Sequence, residues 1–229
     1  MIQSIRAKIM LLSIVSTLLV IAIFLTVVLV QKDKAGIKIE AETDALLAQN
    51  LTLVSQNIYK QTQTLHEHLL SGVSDGLKVA REIAEREGYF TIQQNSSVNW
   101  TVINQFSKEE KRVTIPRMNL GGRWLGQNRS FDVPSLLVDH IYELIGGTTT
   151  IFQRMNEEGD MLRVCTNVRK LDDTRAIGTY IPAINPDGTP NKVIETVMSG
   201  KTYMGRAFVV NSWYLTAYEP IFDPAGRVI

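Results

Sequence analysis

An uncharged stretch near the start of the chain, residues 9–30, reads IMLLSIVSTLLVIAIFLTVVLV. As a helix rising ~1.5 Å per residue it is ~33 Å long, enough to cross the ~30 Å hydrocarbon core of a membrane. A cleaved signal sequence is the alternative, but its apolar part covers only ~7–15 residues and a small-residue cleavage site follows it. Here Gln31-Lys32-Asp33-Lys34 follow instead. The stretch therefore predicts an uncleaved anchor, with residues 1–34 forming a cytoplasmic N-terminus and a transmembrane helix.

The charges that flank this helix do not fix its orientation. Arg6 and Lys8 precede the apolar stretch, whereas Lys32 and Lys34 follow it. The positive-inside comparison therefore hardly discriminates between the two directions, and long domains cross the membrane largely regardless of charge.

The composition of the remaining chain excludes several functional classes. From Ala35 onward there are 20 Lys plus Arg and 22 Asp plus Glu, so the chain offers no broad basic field for a nucleic acid. Cys165 is the only cysteine, which excludes an internal disulfide and argues against a small disulfide-stapled scaffold. The length that remains is enough for a helical stalk and one domain of ordinary size.

Residues 35–88 are predicted to form a long dimerisation helix. No proline occurs between Lys38 and Glu87, and apolar residues recur at steps of three and four, which is the helical period. A helix of ~50 residues rises ~75 Å, longer than a compact domain is wide, so its membrane-proximal part needs a partner helix. Gly88 is expected to end the helix. We expect the seam of a homodimer along Leu47, Leu51, Val54 and Ile58.

Residues 89–229 are richer in β-branched residues and predict a sheet with short helices. One hairpin is expected from 98–104 and 111–116, and a second from 149–155 and 161–168 around the turn Asn156-Glu-Glu-Gly-Asp160. Arg227-Val-Ile229 reads as the start of a further strand, so we expect the domain to be truncated at its C-terminus. The other expected elements are a helix over 136–144 capped by Asp132 or Ser135, a strand over 176–181, a turn over 185–190, a helix over 191–198, and strands over 203–211 and 213–220.

Three stretches of this region carry a resemblance to a known family. They are TIFQRMNEEGDMLRVCTNV at 150–168, GTYIP at 178–182 and GKTYMGRAFVVNSWYLTAYEPIFD at 200–223. They resemble the extracytoplasmic Cache sensor domain of bacterial methyl-accepting chemotaxis proteins. The resemblance implies an α+β fold: an N-terminal transmembrane helix continues into a long helix, and a PAS-like (single Cache) antiparallel β-sheet with short flanking helices cups a small ligand. It also implies a second membrane helix, a HAMP relay and a cytoplasmic signalling rod beyond this chain.

Residue sets that would support catalysis or metal binding are incomplete. Gly200-Lys201-Thr202 ends like a phosphate-binding loop, but the first glycine of that motif would fall at Glu195. His66 and His68 are two positions apart, so on a helix they point in nearly opposite directions and cannot share a metal. Cys165 lies in an apolar strand without a base beside it, as expected for a small buried hydrophobe. We therefore expect no enzyme activity, no metal and no cofactor.

A site for a small carboxylate needs a guanidinium that donates two parallel hydrogen bonds and groups that orient the ligand. Arg206 is the first candidate, because it lies mid-strand between the small residues Gly205 and Ala207. Its alternatives are a carboxylate partner such as Glu219 or a position in solvent.

Further candidates come from three other segments. Arg117 and Arg123 flank Gly121-Gly122 and precede Trp124, where a loop could fold over a site; a surface turn is at least as good an interpretation for Arg123. Arg154 and Arg163 alternate with apolar residues, a pattern more often found facing solvent or paired across strands with Asp or Glu. Tyr214 and Tyr218 share a strand face, for which core packing is an equal explanation. The expected ligand-binding residues are Arg206, Arg117, Trp124, Tyr214, Tyr218 and Arg154.

These features lead to one hypothesis and two alternatives. The hypothesis is the periplasmic sensor part of a chemoreceptor in the bacterial inner membrane, which binds a small organic anion and passes a helix shift to a downstream chemotaxis kinase complex. The first alternative is the same sensor fused to a histidine kinase or a diguanylate cyclase. The second is a pilin-like surface structural protein, which is disfavoured because no acidic residue precedes Asp33.

Overall fold

One long helix, α1 (Ile5–Glu87), begins the fold. The computed structural model describes residues 5–229, so residues 1–4 of the predicted cytoplasmic segment lie outside the described part. The apolar stretch continues into the second predicted helix without a break. The helix ends where Gly88, with a φ of 123°, donates its N–H to Ala84 at 3.1 Å. The structure forms two units, of which the first ends at Thr64 and the second is Leu65–Ile229.

The described part of the first unit is helical, and its side chains are exposed from residue 10 onward. Every residue from 10 to 64 is exposed, including the row of apolar side chains at Leu47, Leu51, Val54 and Ile58. By length and composition, α1 is the one helix among the described residues that is a candidate membrane span. An apolar surface of this size needs lipid or a partner protein to cover it.

The second unit is built around a six-stranded sheet. Its strands are β1 (Phe90–Asn104), β2 (Glu110–Leu120), β3 (Arg123–Trp124), β4 (Thr150–Arg154), β5 (Met161–Thr166) and β6 (Thr179–Ile181). They lie in the order β3-β2-β1-β6-β5-β4. Both predicted hairpins are confirmed, as β1–β2 and β4–β5. One neighbouring pair, β1 and β6, runs parallel. On its other side, β6 pairs antiparallel with β5.

Two further strands, β7 (Tyr203–Val209) and β8 (Ser212–Tyr218), form a hairpin that is a sheet of its own. Two short helices, α2 (Leu136–Ile145) and α3 (Lys192–Met198), complete the unit, as the sequence predicts.

The ends of these helices are capped in different ways. Asn191 caps α3 with its side chain, which accepts from the N–H groups of Val193 and Ile194. Ser135 is the N-cap residue of α2, one of the two predicted, but its side chain makes no capping bond. Instead, its own N–H donates to Asp139 at 2.7 Å.

The main core joins the six-stranded sheet to α2 and to the end of α1. Val102, Val138 and Leu162 are fully buried in it, and Ala84 of α1 packs there as well. Cys165 also belongs to this core, and burial raises the pKa of its thiol to about 11. The thiol is therefore protonated at neutral pH, which confirms its interpretation as a small hydrophobe.

Candidate functional site

Arg117 and Trp124, which the sequence nominates together, lie side by side near one edge of the six-stranded sheet. The guanidinium carbon of Arg117 is 4.7 Å from the centre of the Trp124 ring, within the range of a cation–π contact. Arg117 is half-buried and Trp124 is 40% exposed. Among the described residues, no carboxylate pairs with this guanidinium, so its charge is available to a ligand.

Two buried polar atoms at this place are Nε of Arg117 and Oδ1 of Asn119. Neither has a hydrogen-bond partner within the described part of the chain. The two residues are two positions apart on β2 and therefore share a face of the strand. Asn119 is paired with Trp124 across the β2–β3 ladder, which places the indole on the same face. A buried donor or acceptor without a partner costs roughly 1–3 kcal/mol. A ligand that offers a carboxylate to Arg117 and a hydrogen-bond donor to Asn119 would remove both costs.

The turn that joins β2 to β3 is fixed to the C-terminal end of α1. The N–H of Gly121 donates to Tyr89 at 3.2 Å. A Cβ atom at Gly121 would overlap the carbonyl oxygen of Glu87, so the two backbones touch here. The Arg123 guanidinium also lies 2.5 Å from the Glu87 carboxylate. The β2–β3 turn and the start of β3 are therefore in direct contact with the last turn of α1 and the residues that follow it.

Arg206, the first candidate from the sequence, lies on β7 and is exposed. Its guanidinium stacks over Trp213 at 5.4 Å from the ring centre. The alternative partner Glu219 pairs instead with Arg81 of α1 at 2.6 Å. Of the two alternatives, the carboxylate pair with Glu219 is wrong and the solvent-facing position is the observed one.

Tyr214 and Tyr218 do share one face of β8, but Arg206 is not on that face. The hairpin register pairs Tyr214 with Ala207, the residue after Arg206, and neighbouring residues of a strand point to opposite faces. Tyr214 is 42% exposed. Tyr218 is half-buried, and its ring centre lies 5.9 Å from that of Phe152. The hairpin therefore separates the nominated arginine from the nominated tyrosines.

Arg154 lines a cavity of about 370 Å³ that also includes Arg227. Both guanidinium groups are already satisfied by neighbours in sequence. Arg154 donates to the carbonyl oxygens of Asn156 at 2.9 Å and Glu157 at 2.8 Å. Arg227 lies 2.7 Å from the Asp223 carboxylate. This cavity is therefore less suited to an anion than the surface beside Arg117.

Arg175 is 1% exposed and is fully satisfied by the protein. Nη1 and Nη2 each donate to one carboxylate oxygen of Asp139 at 2.8 Å. The remaining donors reach the carbonyl oxygens of Ser130, Val133 and Thr166. Burial alone would raise the pKa of Asp139, but the hydrogen bonds from Arg175 and Ser135 and the charge of Arg175 lower it below its ordinary value. This pair joins α2 to the segment before β6 and has a structural role.

Arg163, which the sequence nominates only as a weaker candidate beside Arg154, is the second fully buried arginine. The expectation that it faces solvent or pairs with an acidic residue across strands is wrong, because it is 0% exposed and donates to Thr179 at 2.8 Å and Gln105 at 3.0 Å. A β-bulge between Ile151 and Phe152 shifts the β4–β5 register and turns Arg163 onto the face of Phe152. Nothing in the local sequence signals this bulge.

The six nominated residues thus fall into three places. Arg117 and Trp124 are in contact on β2 and β3, Arg206, Tyr214 and Tyr218 lie on the β7–β8 hairpin, and Arg154 lies on β4. Asn119 was not nominated, because an amide beside an arginine carries no signal until its buried oxygen is seen to lack a partner.

The family model that matches the chain is the Cache 3/Cache 2 fusion domain, over residues 37–229. This match includes most of α1 and the whole sheet region. No curated protein and no solved structure matches the chain significantly.

Proposed function

We propose, from the premise that the chain belongs to the Cache 3/Cache 2 fusion domain family, that it is the sensor part of a membrane receptor for a small organic anion. A Cache domain implies extracellular sensing of a small molecule. The observation that carries the choice of ligand is the pair of unpartnered buried atoms at Arg117 and Asn119. A carboxylate satisfies Arg117, and a hydroxyl or amino group next to that carboxylate satisfies Asn119.

The indole of Trp124 supports this assignment. Its ring lies 4.7 Å from the Arg117 guanidinium carbon, and this contact reduces the rotamer freedom that the arginine would lose on binding. The ligand class is therefore a short 2-hydroxy or 2-amino carboxylate. Arg206, Tyr214, Tyr218 and Arg154 remain predictions, and none of them combines an unpaired charge with an unpartnered buried atom.

Arg117→Ala is expected to weaken the binding of lactate by about 10- to 100-fold, since a hydrogen bond to a charged group contributes ~1.5–3 kcal/mol. Isothermal titration calorimetry of the full chain in detergent micelles measures this. Arg112→Ala is the matched control, because Arg112 lies on the same strand and is exposed. Asn119→Ala is expected to abolish the preference for lactate over propionate, which lacks the hydroxyl group. Equal affinity of the Arg117→Ala and Arg112→Ala chains for lactate would refute the assignment.

The signal would pass to α1 through the β2–β3 turn. Ligand contacts at Trp124 act on β3, and Gly121 and Arg123 connect that strand to Glu87. A differential affinity of ~1–3 kcal/mol between two positions of the helix is enough for a useful signal. The proposed output is a chemotaxis kinase complex on the cytoplasmic side of the inner membrane, with the sensor in the periplasm.

The receptor is proposed to be a homodimer through α1. Single cysteines placed at Leu47, Leu51, Val54 or Ile58 in a Cys165→Ala background are expected to crosslink efficiently in membranes. Gln49 and Gln56 point to the opposite side of the helix and serve as controls. Crosslinking yields that do not differ between the two sets would exclude a seam along the apolar row.

A further inference from the structure

Two fully buried arginines of the second unit differ in whether a carboxylate compensates their positive charge. Arg175 uses all five of its N–H groups and is neutralised by Asp139. Arg163 donates only two hydrogen bonds within the described residues, and both acceptors are neutral. A buried cation is costly unless an anion compensates it. The charge of Arg163 is therefore not compensated by any anion among the described residues.

The surroundings of Arg163 hold its guanidinium in a fixed plane. Nη1 is bound to Thr179 and Nη2 to Gln105, while Phe152 lies under the group at 4.9 Å from the ring centre. Nε is buried and has no partner. Together with the second N–H of Nη2, it offers the edge at which arginines bind a carboxylate through two parallel hydrogen bonds. Burial lowers the pKa of Arg163 to about 10, so the group is still a cation at neutral pH.

We propose that Arg163 is the centre of a second, enclosed site for a small monocarboxylate, and that the β7–β8 hairpin is the lid over this site. The site goes beyond the proposed function, because it lies on β5 and shares no residue with the surface at Arg117 and Trp124. Because the guanidinium is 0% exposed, a ligand reaches it only when the hairpin opens, and we take the smallest carboxylates, formate and acetate, as its class.

The hairpin is suited to be a lid because it is a separate sheet. It has no β-ladder to the six-stranded sheet in the described part of the chain, so side chains hold it in place. Tyr218 packs on Phe152 at 5.9 Å between ring centres, and Phe208 stacks on Phe106 at 5.6 Å. Phe152, on which Tyr218 packs, is the same ring that lies 4.9 Å from the Arg163 guanidinium, so the end of β8 is close to this group. A segment without a backbone ladder to the neighbouring sheet opens more readily than a strand inside that sheet.

The lid is also connected to α1. Glu219 directly follows Tyr218 and pairs with Arg81 of α1 at 2.6 Å. The hydrogen bond from Arg81 to Glu219, together with the charge of that carboxylate, raises the pKa of Arg81. A change in the position of β8 that accompanies anion binding therefore reaches α1 by a route separate from the β2–β3 turn.

Hydrogen exchange of the lid tests the second site. The experiment uses the full chain in detergent micelles with the substitution Arg117→Ala, so that the first site does not contribute. We expect sodium acetate to slow amide exchange over residues 203–218 about tenfold compared with sodium chloride at the same ionic strength, because a bound anion holds the lid closed. Arg163→Met should abolish this difference. Arg163→Lys, which keeps the charge but cannot form two parallel hydrogen bonds, should retain only a minor part of it.

Two results would overturn the second site. One is the same exchange of residues 203–218 in acetate and in chloride when Arg163 is present, and the other is a full acetate effect in the Arg163→Met chain. If the Arg163→Met chain does not fold, a full tenfold effect in the Arg163→Lys chain overturns the site equally well. Lactate calorimetry with Arg117 variants is independent of this outcome, so a failure of either site is recognised separately.

Discussion

Asp139→Asn is expected to lower the free energy of unfolding by about 3 kcal/mol, at the lower end of the range for breaking a buried ion pair. The substitution leaves the Arg175 guanidinium, 1% exposed, without its carboxylate. We choose the lower end because the Asp139 side chain is 28% exposed and water compensates part of the loss. For a unit of this size the loss corresponds to a fall in melting temperature of roughly 6–12 °C, measured by tryptophan fluorescence in detergent micelles.

The same pair makes stability depend on pH in a defined direction. The pKa of Asp139 is lower in the folded chain than its ordinary value, which is ~3.9 in an unfolded chain. Its contribution is therefore complete above about pH 4, and it is lost as the pH falls from there through the pKa of the folded state. The Asp139→Asn chain should lack this part of the acid-side decrease in melting temperature.

Asp173→Asn is the matched control for this prediction. Asp173 also pairs with an arginine, Arg169, at 3.3 Å, but both side chains are more than half exposed. Exposed pairs contribute ~0–1 kcal/mol, so the melting temperature should change by no more than about 4 °C. Similar losses in the Asp139→Asn and Asp173→Asn chains would show that burial of Arg175 does not determine the contribution of the pair.

The difference between the two buried arginines explains why the sequence predicts the fold better than the site. Both hairpins, α2 and α3 follow from local signals, namely β-branched runs, apolar residues at helical spacing and turn residues. Whether a buried arginine is paired with a carboxylate depends on residues far away in the chain. Asp139 is 36 positions from Arg175, and the residues around Arg163 come from three separate strands and a loop. No local pattern distinguishes the paired arginine from the unpaired one.

Strand register explains why the sequence did not predict on which face of the β7–β8 hairpin Arg206 lies. Alternation correctly places Tyr214 and Tyr218 on one face of β8, but the face of Arg206 relative to theirs depends on which residues pair across the turn. The pairing of Ala207 with Tyr214 separates Arg206 from both tyrosines, and a shift of one residue would have brought them together. By contrast, Arg117 and Trp124 meet because Gly121 and Gly122 allow the tight turn between their strands.

Gly121→Ala is expected to destabilise the second unit by about 3 kcal/mol and to disturb the end of α1. Gly121 has a φ of +57°, a conformation that costs a residue with a side chain ~1–2 kcal/mol. In addition, its new Cβ would overlap the carbonyl oxygen of Glu87, a backbone atom that cannot rotate away, and overpacking costs a further ~1–3 kcal/mol. Thermal unfolding of the full chain in micelles measures the sum.

Gly122→Ala separates the two costs, because Gly122 has a φ of +79° but nothing lies within 4 Å of an added Cβ. Its expected loss is only the conformational part, ~1–2 kcal/mol. The difference between the two variants therefore measures the contact between the β2–β3 turn and α1.

If this contact carries the signal, Gly121→Ala should also alter amide exchange in the last turn of α1, residues 84–87, whereas Gly122→Ala should not. Equal losses of stability and equal exchange in both variants would mean that the turn and the helix are not coupled, and the lid contact between Glu219 and Arg81 would be the remaining route to α1.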